Sequence, residues 1–353
     1  STMTEQLKLK LNDSKATRWG ALVIVAFTMM AAYYVNDVVA PLKTMLETDL
    51  AWSSTDFGFF TGGYSFLNVF FLMLIWGGLI LDRFGIRFTG KLATILMVGG
   101  TALEYYAMTG LAGADATLFG INEIFGYKTG VFVAFAGYSI FGVGAEVAGI
   151  TVSKIIAKWF KGKELATAMG VQVALARIGS QAGYAVAIPL ARAFGISTPV
   201  LLGLVLLLGG MIAFFVFAVM DKKLDKQMEA AAIAAGTEDE EEKFSFKDVK
   251  NILVNPGFWL IALLCVLFYS CVFPFQKFAS ELMIIKYGIN ENVAGTFAGL
   301  PALGALILTP VFGGFIDKRG KSASIMLLGS AMLICVHFIY AIPDINYWLV
   351  AIV

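Results

Sequence analysis

Charge is scarce in this chain. Of its 353 residues only 14% are charged, 59% are apolar or aromatic, and the net charge is +1. Soluble domains carry about 25% charged residues, so an ordinary soluble enzyme is excluded. With no excess of either sign and no dominating basic face, a disordered tail and a nucleic-acid binder are excluded too. Histidine occurs once, at His337, and cysteine three times, at Cys265, Cys271 and Cys335, all inside apolar runs. No Cys/His spacing fits a ligand set, so neither a metal site nor a disulfide framework is expected. Nor is there a nucleophile triad or a cofactor motif, so the chain does not read as an enzyme and no cofactor is implied.

What is abundant is apolar sequence in runs of membrane-spanning length, about 20 residues each. Nine lie near 19–41, 57–81, 88–110, 129–153, 165–191, 198–220, 256–287, 292–316 and 322–342, and a tenth begins near 345. An all-α, multi-pass membrane protein follows. If the amino terminus is cytoplasmic, 20 of the 26 basic residues fall in inner segments, the asymmetry that orients membrane proteins. The exceptions are Lys43, Lys128, Arg177, Arg192, Lys277 and Lys286. The expected organisation is a tail over 1–18, a six-helix bundle over 19–220, a cytoplasmic linker over 221–255 and a second, truncated bundle over 256–353. The linker contains the acidic run Glu238–Glu242, read as solvated.

The second span ends Gly77-Gly78-Leu79-Ile80-Leu81-Asp82-Arg83-Phe84-Gly85. The eighth ends Gly313-Gly314-Phe315-Ile316-Asp317-Lys318-Arg319-Gly320. Each has a Gly-x-x-x-Asp-basic-x-Gly loop after the second span of its half, which makes an internal repeat of the parallel kind. In this the sequence resembles the major facilitator superfamily, and that resemblance implies a twelve-helix fold, so two to three further helices are expected after residue 353. It also implies an inner latch built on Asp82 and Arg83 and on Asp317 and Lys318. Asp317 would meet the start of the fifth span near Lys163-Glu164, and Asp82 an eleventh span.

Ionisable residues inside spans are functional candidates because they are costly there. Glu146 in the fourth span and Arg177 in the fifth reach similar depth, close to the midplane, where they suit either an ion pair or the two ends of a zwitterion. Asp37 sits in a polar cluster with Tyr33, Tyr34 and Asn36, and Tyr64 and Asn68 are one turn apart in the second span; all three are candidates to line a cavity. Lys277 and Glu281 have i, i+4 spacing, after a Pro274 expected to break or kink the seventh span, and suit an outer gate or a local salt bridge. Glu104 and His337 carry less weight.

Three further stretches narrow the resemblance. They are Gly142-Val143-Gly144-Ala145-Glu146, Trp159-Phe160-Lys161-Gly162-Lys163-Glu164-Leu165 and Ala176-Arg177-Ile178-Gly179-Ser180. They are similar to the lysosomal dipeptide transporter group of that superfamily, which implies that Glu146 holds a peptide amine and Arg177 its carboxylate. The departures are Val38-Val39-Ala40 between Asp37 and Pro41, an added outer loop over 111–128, and no dileucine sorting context at the amino terminus. Short loops and the missing signal point to a bacterial inner membrane. The expected activity is alternating-access transport of a small zwitterion, a dipeptide first. The alternatives are an organic-anion carrier centred on Arg177 and a sensor that binds without transport. Proton coupling stays open, with Asp37 and Glu146 as its candidates. The solute, the direction and any accessory subunit stay open too.

Overall fold

The computed structural model describes residues 9–236 and 246–353. Helix α1 (Lys15–Val38) starts on Ser14, whose side chain accepts the Thr17 amide. Pro41 then turns the chain through a short 3-10 segment into α2 (Lys43–Leu50). A capping box of Ser53 and Asp56 opens α3 (Ser54–Phe70). Next come α4 (Met73–Thr109), α5 (Thr129–Trp159), α6 (Leu165–Phe194) and α7 (Thr198–Ala235). Between α4 and α5 a two-stranded hairpin, β1 (Glu123–Ile124) and β2 (Tyr127–Lys128), pairs Glu123 with Lys128 and Ile124 with Tyr127. The rest is helical: α8 (Phe246–Val254), α9 (Pro256–Tyr287), α10 (Glu291–Arg319), α11 (Ser322–Ala341) and α12 (Tyr347–Ile352).

Among the described residues six helical stretches are long and apolar enough to cross a membrane, and α3 with α4 forms a seventh as a bent pair. The sequence reading counts nine because it divides α4 and includes α6, which Gln172, Arg177, Ser180 and Gln181 make more polar. Gly85 justifies the division: at φ 81°, ψ 177° it breaks α4 where the second and third spans were separated. Only glycine enters that conformation freely.

Three features differ from expectation. The second span is not one straight helix but bends by 58° at Phe71–Leu72, where Leu72 adopts φ 52°. No glycine or proline announces this bend; one turn earlier the Asn68 amide donates to the Tyr64 carbonyl, 3.2 Å away. Secondly, α9 runs through Pro274. Thirdly, the 221–255 linker is largely helical at both ends, since α7 continues to Ala235 and α8 occupies Phe246–Val254. Strong helix formers fill 221–235, and Asp221 and Asp225 anchor them. The acidic run Glu238–Glu242 lies outside the described residues.

The core is built by α1, α4, α5, α6 and α7, with Trp159, Tyr138, Phe141 and Phe217 among its fully buried side chains. Small residues let helices approach: Gly142 of α5 lies on the Tyr64 backbone of α3, which fixes the spacing between two functional side chains.

One end of the helices carries Arg87, Lys154, Lys158 and Lys161 and is called here the basic face. The other, beside β1 and β2, is the hairpin face.

Candidate functional site

Helices α1, α3, α5 and α9 enclose a cavity of about 540 Å³. Its polar wall consists of Tyr33 and Asn36 from α1, Thr61, Tyr64 and Ser65 from α3, Glu146 from α5 and Lys277 from α9. The Tyr64 hydroxyl donates to Glu146 Oε1 at 2.8 Å. The other Glu146 oxygen is left to the cavity's contents.

Arg177 is not the partner of Glu146. Its stem lines a separate apolar groove of about 250 Å³ with Ala302, Leu303 and Leu306 of α10. Among the described residues it makes no hydrogen bond or ion pair, and it acts through space on Tyr33 and Asp37. Glu146 also acts on Tyr33, so that phenol lies within the fields of both charges. A structural ion pair between the fourth and fifth spans is therefore not what is seen.

Asp37 and Asn68 do not line the cavity. Asp37 is 8% exposed and accepts from the Asn36 amide at 3.1 Å, so Asn36 stands at the wall in its place. Asn68 turns back on its own helix, leaving its Oδ1 buried without a partner.

Lys277 and Glu281 do not pair with each other. Lys277 crosses to α1 and α5 and donates to the Asn36 carbonyl at 2.8 Å and the Tyr138 hydroxyl at 2.9 Å. Tyr138, fully buried, donates in turn to the Asn36 carbonyl at 2.8 Å. Glu281 instead takes Lys43 at 2.7 Å, and Lys43 also holds Glu47 at 2.8 Å and Ser54 at 2.9 Å. Lys43 is only 2% exposed. Nearer the hairpin face, Tyr184 of α6 donates to the Gln276 carbonyl at 3.3 Å, and Arg192 of α6 pairs with Glu291 of α10. These contacts tie α9 and α10 to α1, α2, α5 and α6 on the hairpin side of the cavity. Sequence reasoning missed Lys43 and Tyr138. Lys43–Glu47 was visible as an i, i+4 pair, but nothing in the sequence marked its partner 238 residues away.

At the basic face Asp82 of α4 meets Lys154 of α5 at 3.5 Å, both exposed. Arg83 stacks over Phe84 at 5.6 Å, and Lys318 is exposed. The Asp317 side chain lies outside the described residues. Near the start of α6, Lys163 bonds Asp13, and Glu164 accepts from Trp19 at 2.8 Å and Arg18 at 3.3 Å. His337 bonds the Leu333 carbonyl of its own helix at 3.0 Å and packs its ring against Phe275 of α9, with 5.8 Å between centroids.

Beside this corner Asp221 is wholly buried and holds Arg87 at 2.8 Å, Lys158 at 2.9 Å and the Trp159 indole at 2.9 Å. Asp225 shares Arg87 and Lys158. Burial alone would raise the Asp225 pKa, but hydrogen bonds from Lys158 and Arg87 outweigh it and hold the pKa below its ordinary 3.8. A depressed carboxylate stabilises the fold above its unfolded value and loses that contribution as pH falls through its folded value. Thermal midpoints measured from pH 7 to pH 3 are expected to show the Asp225→Asn deficit undiminished down to about pH 5 and shrinking below about pH 4. A deficit that grows on acidification would contradict this assignment.

Comparison with known proteins places these observations. The sequence model of the Major Facilitator Superfamily matches residues 19–353. The lysosomal dipeptide transporter MFSD1 of Homo sapiens is 27% identical over 348 residues, which is 95% of this chain and 68% of that protein. The same transporter of Pongo abelii is 27% identical over 342 residues, 93% of this chain and 67% of that one. Its Gallus gallus counterpart is 30% identical over 226 residues, 60% of this chain and 49% of that one. Among solved structures, that of a D-xylose-proton symporter superposes with a TM-score of 0.55 at 16% identity, covering 85% of this chain and 69% of that one. The last is a likeness of fold.

Proposed function

The chain belongs to the major facilitator superfamily and is a transporter, not an enzyme, and on that premise we propose that its solute is a small zwitterion, a dipeptide before others. The observation that carries this reading is the cavity's polarity. Glu146 offers a carboxylate with one uncommitted oxygen, while Lys277 caps the hairpin side with two of its three ammonium donors engaged. Arg177, without a hydrogen-bond or ion-pair partner among the described residues, acts on Tyr33 from outside the cavity. A peptide amine on Glu146 and a carboxylate drawn to Arg177 and Lys277 would fill the site with opposite charges at opposite ends. A cavity of about 540 Å³ lies within the usual range for small-molecule sites. The dipeptide transporters among its relatives support the same class of solute.

The arrangement is closed at the hairpin face by Lys43–Glu281, Lys277 and Arg192–Glu291. With the amino terminus in the cytoplasm of a bacterial inner membrane, this is the inward-facing state of an alternating-access cycle, and these pairs are the outer gate. Residues 19–220 and 256–353 are then the two units that rock.

Thermal unfolding of the purified protein against dipeptides, free amino acids, dicarboxylates and sugars tests the solute class. A ligand that binds only the folded state stabilises it by RT ln(1 + [L]/Kd). Dipeptides are expected to raise the midpoint of the wild type and not of Arg177→Ala. Stabilisation by dicarboxylates alone would instead favour an anion carrier, for which the unpaired guanidinium is the one supporting observation. A dipeptide that binds but never exchanges across a vesicle membrane would make the protein a sensor.

A further inference from the structure

We propose that the segment between α4 and α5 lies on the membrane surface, and that Phe119 and Phe125 insert their rings into the lipid leaflet on that side. This segment contains two tight turns of the same plan, Leu118-Phe119-Gly120-Ile121 and Ile124-Phe125-Gly126-Tyr127. Leu118 bridges Ile121, and Ile124 pairs with Tyr127. Both central residues of each turn have positive φ, 53° and 78° in the first, 51° and 82° in the second. Such turns favour asparagine, aspartate or glycine at the first of these positions, because a bulky side chain is strained there. Here each carries phenylalanine, and the two rings are 94% and 88% exposed. Each ring strains its own turn and presents apolar surface to water, and the hairpin itself offsets neither cost. A pair of exposed aromatic rings marks a contact surface.

Depth identifies what covers them. From Arg87 at the basic face, α4 runs about 35 Å to its cap at Gly110, at 1.5 Å per residue. From Lys154, α5 runs back about 38 Å to Thr129. The hydrocarbon core is about 30 Å thick, and the headgroup layers bring the bilayer to about 40–45 Å. With the two basic side chains at one boundary of the core, both stems of the segment end at the level of the opposite headgroup layer. That is the depth at which aromatic side chains gather in membrane proteins.

The rings also continue a row that faces the bilayer. Phe125 packs on Phe132 with 6.0 Å between centroids, and Phe132 on Phe135 with 6.0 Å. Phe135 packs on Phe66 at 5.2 Å, and Phe66 on Phe70 at 5.3 Å. Phe70, at the far end, is exposed inside a span, so this flank of α3 and α5 meets acyl chains. A protein partner would have to displace lipid from the top of that row, whereas the leaflet already reaches it. Tyr127 stacks on Phe59 at 3.9 Å and ties the hairpin to α3. The inserted rings thus hold this end of α3 and α5 at the membrane surface.

The test places p-fluorophenylalanine at position 119, 125 or 70, one at a time, in the protein reconstituted into phosphatidylcholine nanodiscs. Fluorine relaxation is measured with dissolved oxygen, which concentrates in the apolar bilayer, and with a water-soluble nickel chelate. The probes at 119 and 125 are expected to relax faster with oxygen, and slower with nickel, than free p-fluorophenylalanine in buffer. The probe at 70 marks the acyl-chain limit. Phe125→Asn is expected to move the probe at 119 toward the aqueous values, and Phe119→Asn the probe at 125. Asparagine suits these turns, so the hairpin keeps its fold while losing one anchor. Rings as open to nickel as the free amino acid overturn the proposal. Shielding from both reagents, or shielding that arises only in native membranes, places the rings against protein and overturns it too. If an asparagine variant does not fold, the probes in the otherwise unchanged protein decide alone.

Discussion

Replacing Glu146 by glutamine is expected to weaken dipeptide binding about ten- to a hundredfold while leaving the fold intact. The substitution keeps the shape and an oxygen for the Tyr64 hydroxyl, which now donates at 2.8 Å. What disappears is the charge opposite the peptide amine. A hydrogen bond to a charged group contributes about 1.5–3 kcal/mol, roughly twice a neutral one, and each 1.4 kcal/mol is about tenfold in affinity. The control is chemical. An N-acetylated dipeptide has no ammonium, so the wild type and Glu146→Gln should bind it about equally. Calorimetric titration of both proteins with both ligands closes the cycle. Equal losses for the two ligands would mean that Glu146 shapes the cavity rather than reading the amine.

The second large effect lies at the hairpin face. Glu281→Leu is expected to move the conformational equilibrium about thirtyfold toward the state open on that side. Lys43 is almost fully buried, and Glu281 is one of its two carboxylates and the one contributed by the other helix group. Removing one partner of a buried pair costs about 3–5 kcal/mol when the remaining charge is stranded. Here Glu47 and Ser54 still hold the ammonium, so about 2 kcal/mol is a fitting figure. The readout is labelling of a cysteine at Ala32, a buried residue on the cavity wall, by a membrane-impermeant maleimide from the hairpin side. The exposed Cys265, Cys271 and Cys335 are replaced beforehand. Faster labelling of Glu281→Leu, with a smaller change for Glu47→Gln, is the expected pattern. Unchanged labelling would sink the gate.

Span positions were legible in the sequence because apolar run length is a local property, but facing was only partly so: Tyr64 reaches the cavity while Asn68, one turn on, does not. Glu146 and Tyr64 came out as wall residues on that basis, and Gly85 as the break between spans. Partnership was not legible. Lys277 sits four residues before Glu281, and a local rule joins them, yet the lysine finds Asn36 and Tyr138, 241 and 139 residues away. Which opposite charge a residue meets depends on how two helix groups lean together, and no single helix encodes that. The bend at Leu72 was hidden too, because neither glycine nor proline marks it in the sequence. Asp221 and Asp225 looked like the start of a linker because their partners Arg87 and Lys158 belong to other helices.

The length of α7 has a practical consequence. Its 38 residues extend about 57 Å, against a hydrocarbon core of about 30 Å. Asp221 and Asp225 clamp it where it leaves the core, and Gln227 accepts the Leu11 amide at 2.7 Å, so its last ten residues, about three turns, continue as a braced helix beyond the core. That extension of α7 gives a binding antibody a helical epitope fixed to the core through Asp221 and Asp225.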